Sequence, residues 1–381
     1  MGQITLTAKI QIYPDDEQKE LLIRTRKAYT DGLNFVSDIV YNNHNLCEND
    51  LSRELYPTLR GRFGLKSQQS QSVIKRVLAS YKTIQSQEQG WIRPSFKKDQ
   101  YELVWGRDVD FYKGKLISVN TINRRVKVPY CIKGYEQYFD DPRYKLGTAK
   151  LIIKHGRFFL HVPVSYETEE CNPENAMVRV GCDLGINNII TTYDSNGKSA
   201  FVSGGYIKHM RRHYSRLRQE LQKKHTVSAH RKLKSIGQRE SRWMNDINHC
   251  ISKRLVMSYP EGTLFVLEDL NGIGSSMSRV NRKHRYISCS WSFADLSQKI
   301  EYKAKKNRSA VVYVDPRYTS QKCPACGHIE KDNRIRKEHI FRCKCCGYSS
   351  NDDRVGAINI LLSLGKDQFR NGRVPEAITA G

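Results

Sequence analysis

The sequence has no apolar run approaching the ~18 residues that cross a membrane as a helix, and its opening, Met1 to Ile10, lacks the apolar core of a secretory signal. Both absences point to a soluble cytoplasmic chain with no membrane partner. Acids are the second shortage. The chain has 39 Asp and Glu against 64 Lys and Arg, which gives its 381 residues a formal charge of +25. That excess calls for a polyanionic partner, most simply nucleic acid. Disulfides are the third thing to leave out, because a cytosolic chain keeps its thiols reduced. Of eleven cysteines, Cys47, Cys131, Cys171, Cys182, Cys250 and Cys289 stand alone and read as small buried hydrophobes. The other five crowd between Cys323 and Cys346, and a metal is the simplest reason.

The length suits two or three domains. Ile4, Leu6, Ala8, Ile10 and Ile12 alternate as in a half-buried strand. A helix starts at Pro14-Asp15-Asp16 with a stripe of Leu22, Tyr29, Val36 and Val40, and a second follows Ser67 with Val73, Val77, Tyr81 and Ile84. Basic residues from Arg53 to Lys82 surround them. Short strands then return at Lys115–Val119 and Arg125–Val128, with a hairpin of Ala149–Ile153 and Phe158–Val162 about His155-Gly156. This pattern fits a small β-barrel interrupted by a basic helical segment, closed by an acidic linker at Glu167–Glu174. The next domain opens as a three-stranded meander over Val178–Asp183, Ile189–Tyr193 and Ala200–Val202. Residues 206–254 form a helical stretch with 14 Lys or Arg against three acids. Leu264–Leu267 and Val311–Val314 read as buried central strands. Phe293, Leu296, Ile300 and Ala304 mark one further helix, and Ala357–Leu364 a closing helix stopped by Gly365.

Three acids stand where elements of this second domain begin or end: Asp183, Glu268 and Asp353. A carboxylate that ends a buried strand is costly unless a cation meets it. Two Mg²⁺ ions held by a few such groups can activate water on a phosphodiester. A capping or solvated acid is the alternative for each, and Asp352 beside Asp353 keeps the third position open. Cys323-Pro324-Ala325-Cys326, sixteen residues, and Cys343-Lys344-Cys345-Cys346 have the spacing of a four-thiolate zinc ribbon. Gly327 and Gly347 let each knuckle turn tightly. The internal thiol Cys345 is excluded from the ligand set, and four protein ligands make the zinc structural.

Gly181-Cys182-Asp183-Leu184-Gly185-Ile186-Asn187-Asn188, Leu267-Glu268-Asp269-Leu270, Tyr318 through Gly327, and Asp353 through Ile360 occur in that order. Together they resemble the TnpB family of transposon-encoded, RNA-guided RuvC-like endonucleases, relatives of compact type V CRISPR effectors. The N-terminal strand and helix start, Arg93–Lys97 and Tyr144–Gly147 extend the resemblance over nearly the whole chain. It implies an α+β multidomain fold. A wedge-like β-barrel would cover 1–13 and 91–165, with a helical recognition insertion at 14–90 and a linker at 166–177. A split RNase H-like (RuvC) α/β domain would cover 178–316 and 351–365, with a zinc-ribbon target-nucleic-acid-binding insertion at 317–350 and a flexible tail at 366–381. It also implies that Asp183, Glu268 and Asp353 form a catalytic, Mg²⁺-binding triad, with Asp353 chosen over Asp352 by its spacing from Asn359. Cys323, Cys326, Cys343 and Cys346 would hold Zn²⁺. The partners implied are a guide RNA and double-stranded target DNA, in a bacterial or archaeal cytosol, with a monomer favoured.

In such a system base pairing supplies specificity and the protein grips backbones. Arg211, Arg212, Arg216 and Arg218 are the named candidates, a solvated helix face being the alternative. One departure from the family stands out: Val355-Gly356-Ala357 follows the third acid where Asn-Ala-Ala is common. Rival functions are a nuclease-inactive, RNA-guided repressor and a guide-independent DNA transposase or resolvase.

Overall fold

The computed structural model describes residues 2–169, 171–270, 293–335 and 337–364. Cys289, Gly365 and the 366–381 tail lie outside them. The chain forms two compact units, one of residues 3–167 and one of 168–381 together with 1–2.

In the first unit, β1 (Gly2–Ile12) leads into α1 (Asp16–Asn43), α2 (Glu48–Gly61) and α3 (Ser67–Ser86). Asp15 caps α1 by accepting from the Gln18 amide while the Gln18 side chain returns a bond to Asp15, the reciprocal box that fixes this start. The chain then adds β2 (Glu102–Leu103), β3 (Val109–Tyr112), β4 (Leu116–Val119) and β5 (Val126–Cys131). The single-turn α4 (Gln137–Asp140), β6 (Lys145–Leu146), β7 (Ala149–Lys154) and β8 (Arg157–Thr168) complete the unit. Strand order is β2-β7-β8-β1-β5-β4-β3, with β6 on β8. The two end strands are consecutive in the chain and meet through a Trp105–Val109 bridge, so the sheet bends toward a nearly closed barrel. His155 and Gly156, both at positive φ, make the two-residue β7–β8 turn. Ile10 and Ile12 of the sheet and Leu22, Tyr29, Leu33 and Val36 of α1 belong to one buried cluster. The helices therefore share the barrel's core.

The second unit is built on a five-stranded sheet. Its strands are β9 (Arg179–Asp183), β10 (Asn188–Asp194), β11 (Ser199–Ser203), β12 (Leu264–Glu268) and β13 (Ala310–Val314), ordered β11-β10-β9-β12-β13. β10 runs antiparallel to both β9 and β11, whereas β9, β12 and β13 are parallel. Between β11 and β12 come α5 (Gly205–Gln222) and α6 (Val227–Met257), and α7 (Phe293–Lys306) precedes β13. The basic stretch is thus two helices, broken where Thr226 caps α6 through its bond from the Ala229 amide. β12 shows why both faces are covered: Phe265 and Leu267 join a cluster with Leu296 and Ile300 of α7, while Leu264 and Val266 pack with Ile360.

After β13 the chain forms a small sheet of β14 (Arg334–Ile335), β15 (Ile340–Arg342) and β16 (Ser349–Asn351). It then enters α8 (Asp352–Leu362), capped by Asn351. α8 lies directly on β9. A Cβ on Gly181 would come within 2.1 Å of the Ala357 carbonyl oxygen, so only glycine admits that approach.

The isolated cysteines correct the sequence reading. Of the five that the structure describes, only Cys182 is buried; Cys47, Cys131 and Cys250 are exposed and Cys171 is half-buried. Cys47 precedes α2 and Cys131 ends β5, so neither sits on an inward-facing register. No helix of the described residues is long and apolar enough to cross a membrane.

Candidate active site and zinc centre

Parallel pairing of β9 with β12 sets Leu267 opposite Cys182, so Asp183 and Glu268 are the next residues at the same end of adjacent strands. Asp353 reaches that end from the first turn of α8. Burial first, then the charges of Glu268 and Asp353, push the Asp183 carboxyl up to about 8, with Arg334 pulling the other way. Glu268 is raised by burial too, against a bond from Thr319 Oγ1 at 2.5 Å and the nearby Arg334. Burial leaves these carboxylates reluctant to ionise even beside Arg334, and hard divalent cations fit an all-oxygen donor set.

Several partners orient the acids. Asn188 Nδ2 donates to Asp353 Oδ2 at 2.8 Å. Asp352, 2% exposed, turns into the protein, where its Oδ1 accepts from the Asp353 amide at 2.9 Å and its Oδ2 from Arg334 Nε at 2.8 Å. Arg334 Nη2 also reaches Asp353 Oδ1 at 3.4 Å. His339 Nδ1 lies 3.6 Å from Asp352, while its Nε2 meets Asn187 Nδ2 at 3.1 Å. A Cβ on Gly356 would stand 2.7 Å from Asp183 Oδ2, so this glycine makes room for the carboxylate. Thr319, Asn188 and Gly356 lie within the motifs that carry the family resemblance, with no role of their own legible there. Arg334 and His339 carried no local signal.

Arg334 arrives from the cysteine-rich insertion. Its four thiols, Cys323, Cys326, Cys343 and Cys346, lie within 4.8 Å of one another, with the Cys323–Cys346 and Cys326–Cys343 sulfurs each 3.6 Å apart. Tetrahedral zinc with Zn–S of about 2.3 Å requires sulfurs roughly 3.8 Å apart, so the thiolates fit that metal. In the first knuckle the Gly327 amide donates to the Cys323 carbonyl and the Cys323 amide to that of His328. The second repeats this with Gly347, Cys343 and Tyr348. Gly327 and Gly347 sit at φ of 76° and 73°, the left-handed region these turns require. Cys345 is exposed and outside the sulfur cluster. Phe341 packs with Cys323, Cys343 and Val355 of α8, and Asn359 Nδ2 donates to the Thr319 and Lys322 carbonyls at 2.7 Å each. The insertion is thereby tied to the helix that carries Asp353.

The four candidate arginines divide. Arg212 and Arg216 are exposed on α5. Arg211 is 2% exposed, its Nε 3.8 Å from Glu240 of α6, and half-buried Arg218 pairs with the same carboxylate. Arg211 and Arg218 therefore fasten α5 to α6. A phosphate outside the protein cannot reach Arg211, which corrects the expectation that all four share one outward role.

Residues 161–276 match a family model described as "Probable transposase", and residues 293–360 match one described as "Cas12f1-like, TNB domain". A CRISPR-associated endodeoxyribonuclease Cas12f1 of Syntrophomonas palmitatica is 31% identical over 58% of this chain and 46% of its own length. The chain thus spans about half of that relative. A TnpB-like protein of Methanocaldococcus jannaschii is 28% identical over 66% of this chain and 91% of its own length. The fold resembles a solved structure described as "Cryo-EM structure of the Cas12f1-sgRNA-target DNA complex". That match has a TM-score of 0.56 and 13% identity, covering 94% of this chain and 98% of the other. Two successive family models and a TnpB-like relative matched over nine tenths of its length make this chain similar to TnpB-like proteins and Cas12f1 effectors.

Proposed function

We propose that this chain is an RNA-guided DNA endonuclease of the transposon-associated TnpB type. What supports the reading is that Asp183 and Glu268 end adjacent parallel strands of the five-stranded sheet and that the charges of Glu268 and Asp353 both raise the Asp183 carboxyl, which a bound cation would relieve. The names of its relatives support it, one as an endodeoxyribonuclease and one as a complex with guide RNA and target DNA.

Asp183, Glu268 and Asp353 would hold divalent ions such as Mg²⁺, which when bound would supply a Lewis acid to activate water and steady the leaving oxygen. The chain's own part is placement. Thr319 and Asn188 each fix one carboxylate by a hydrogen bond, and Gly356 leaves the Asp183 carboxylate its space. Buried Asp352 and half-buried Arg334 form a pair that braces the start of α8. Zinc on the four thiolates is structural. Arg212 and Arg216 lie on the strongly basic α5–α6 pair, which grips nucleic-acid backbone, and base pairing with a guide supplies sequence choice. The barrel unit is the wedge-like and recognition part, and the work takes place in the cytoplasm.

The test incubates the full chain with RNA transcribed from its flanking element, matched duplex DNA and Mg²⁺. Cutting at the matched site that disappears when the RNA is digested beforehand supports the reading. Guide-independent cutting identifies a transposase or resolvase, and binding without scission identifies a repressor.

A further inference from the structure

His339 is where the cysteine-rich insertion meets the turn between β9 and β10. It stands at φ of 56°, just before β15, in the left-handed region that histidine enters more readily than most residues. From there its carbonyl accepts from the Asp352 amide at 3.2 Å and from Asn351 Nδ2 at 3.3 Å, so its backbone holds the start of α8. Its ring closes the same junction, with Nε2 at 3.1 Å from Asn187 Nδ2 and Nδ1 at 3.6 Å from Asp352 Oδ1.

The tautomer of that ring follows from its neighbours. Lys208 Nζ of α5 donates to Asn187 Oδ1 at 2.6 Å, and an ammonium group can only donate. The Asn187 amide is therefore turned with its oxygen to Lys208 and its Nδ2 hydrogens to the ring. Nε2 must accept, and in neutral imidazole the ring proton then sits on Nδ1, facing buried Asp352. The opposite tautomer would set a lone pair against that carboxylate and two N–H groups against each other at Asn187. Both supports of Asp353 meet at this ring. Asn187 is followed by Asn188, which donates to Asp353 Oδ2, and Asp352 precedes Asp353 and accepts from its amide.

We propose that His339 is a positioning residue of the acid site: held as the Nδ1–H tautomer by Lys208 and Asn187, it locks the β9–β10 turn to the start of α8 so that Asp353 keeps its aim. The role rests on the reading of Asp353 as a cation ligand, and not on RNA guidance or on DNA as the substrate. Through it the basic helix α5 reaches the acids in three polar contacts, Lys208 to Asn187, Asn187 to His339 and His339 to Asp352.

The test has two readouts, and neither needs cleavage. Nitrogen NMR of the full, zinc-loaded chain with ring-labelled histidine, at about pH 8.5 where imidazole is ordinarily neutral, reports the tautomer. His339→Gln identifies the signal by its loss. Calorimetry reports the affinity for Mg²⁺ alone, with equal zinc content in every variant as evidence of an intact insertion. The parent shows Nδ1–H at His339, and Lys208→Ala, which frees the Asn187 amide to turn over, shifts the ring toward Nε2–H. His339→Ala weakens Mg²⁺ binding about tenfold, the usual effect of losing a group that orients a metal ligand. His339→Gln, whose amide oxygen accepts in place of Nε2, restores the affinity.

Nε2–H in the parent overturns the lock. So does parental Mg²⁺ affinity in His339→Ala, or His339→Gln binding no better than His339→Ala. His339, Asp352 and Asp353 each offer a donor atom within 4.8 Å of the others, so loss of the Nδ1 proton on adding Mg²⁺ would make the ring a ligand and overturn its positioning role. The expected tautomer and affinities in a chain that cuts no DNA support the role of His339 and overturn the nuclease reading. Their absence in a chain that cuts under guidance does the reverse.

Discussion

Gly356 faces Asp183 so closely that a methyl group at the glycine would lie 2.7 Å from the Asp183 Oδ2 and 3.1 Å from its Cγ. One position in the middle of α8 therefore sets how far the first acid can extend. This is also where the chain departs from the alanine common in the family it resembles, so the departure bears on the geometry of the carboxylates and not on their identity.

Gly356→Ala separates stability from activity. Alanine favours a helix over glycine by about 1 kcal/mol, which offsets part of the clash, so the melting temperature moves by a few degrees at most. The displaced Asp183 lowers the cleavage rate about 100-fold, since misplacement of a reacting group by about 1 Å has that effect. Melting curves and single-turnover cleavage on the same preparation check both halves.

Asp183 makes cation binding depend on pH. Its carboxyl lies near 8 in the folded chain and at 3.8 when unfolded, so the unfolded chain releases this proton first. Stability of the cation-free protein accordingly falls as pH rises from about 4 to about 8. A divalent cation binds the carboxylate, so Mg²⁺ binding at pH 7 releases about one proton, and affinity rises with pH until it levels off near 8. Calorimetry in buffers of different ionisation enthalpy measures the proton directly.

Arg334→Ala leaves Asp352, 1% exposed by its side chain, without its guanidinium partner. With the guanidinium 26% exposed, the loss is less than the ~3 kcal/mol of breaking a fully buried pair, and it is confined to α8 and the small sheet. Hydrogen exchange of the α8 amides reports it. Cys343→Ser releases zinc and reproduces the same loosening at Asp352 and Asp353, because β14, which carries Arg334, belongs to the sheet held beside the thiolates.

The α5 arginines separate by face. Arg212→Ala and Arg216→Ala each reduce the salt slope of RNA binding by about one and leave melting unchanged. Arg211→Ala does the reverse: Glu240, 5% exposed, loses the Arg211 guanidinium beside it, and melting falls while the salt slope holds.

Much of this arrangement is legible in the sequence where the signal is local. Leu264–Leu267 is an unbroken apolar run because both faces of β12 are covered, whereas Val311–Val314, read as a buried central strand too, forms the edge strand β13 and is mostly half-buried. Asp183 and Glu268 stand out because each ends such a strand, and the two cysteine knuckles carry their geometry in four residues apiece. Helix α2 escapes notice because Pro57 lies inside it and its buried stripe is only Leu51, Leu55 and Leu59. The break between α5 and α6 is hidden by uniform basic composition. Burial of a lone cysteine, or the inward turn of Arg211 beside outward Arg212, depends on which face of an element meets the core, and composition does not carry that. Arg334 was out of reach for the same reason: it lies 19 residues before Asp353, and only the folded insertion brings them together.

The central claim is that the acids on β9, β12 and α8 cut DNA under RNA guidance, and Asp183→Ala tests it most directly. With flanking-element RNA, matched duplex and Mg²⁺, the account predicts that this variant binds the matched DNA with the parent's affinity and loses cleavage by at least about a thousandfold. Cleavage by Asp183→Ala at the parent's rate would contradict it.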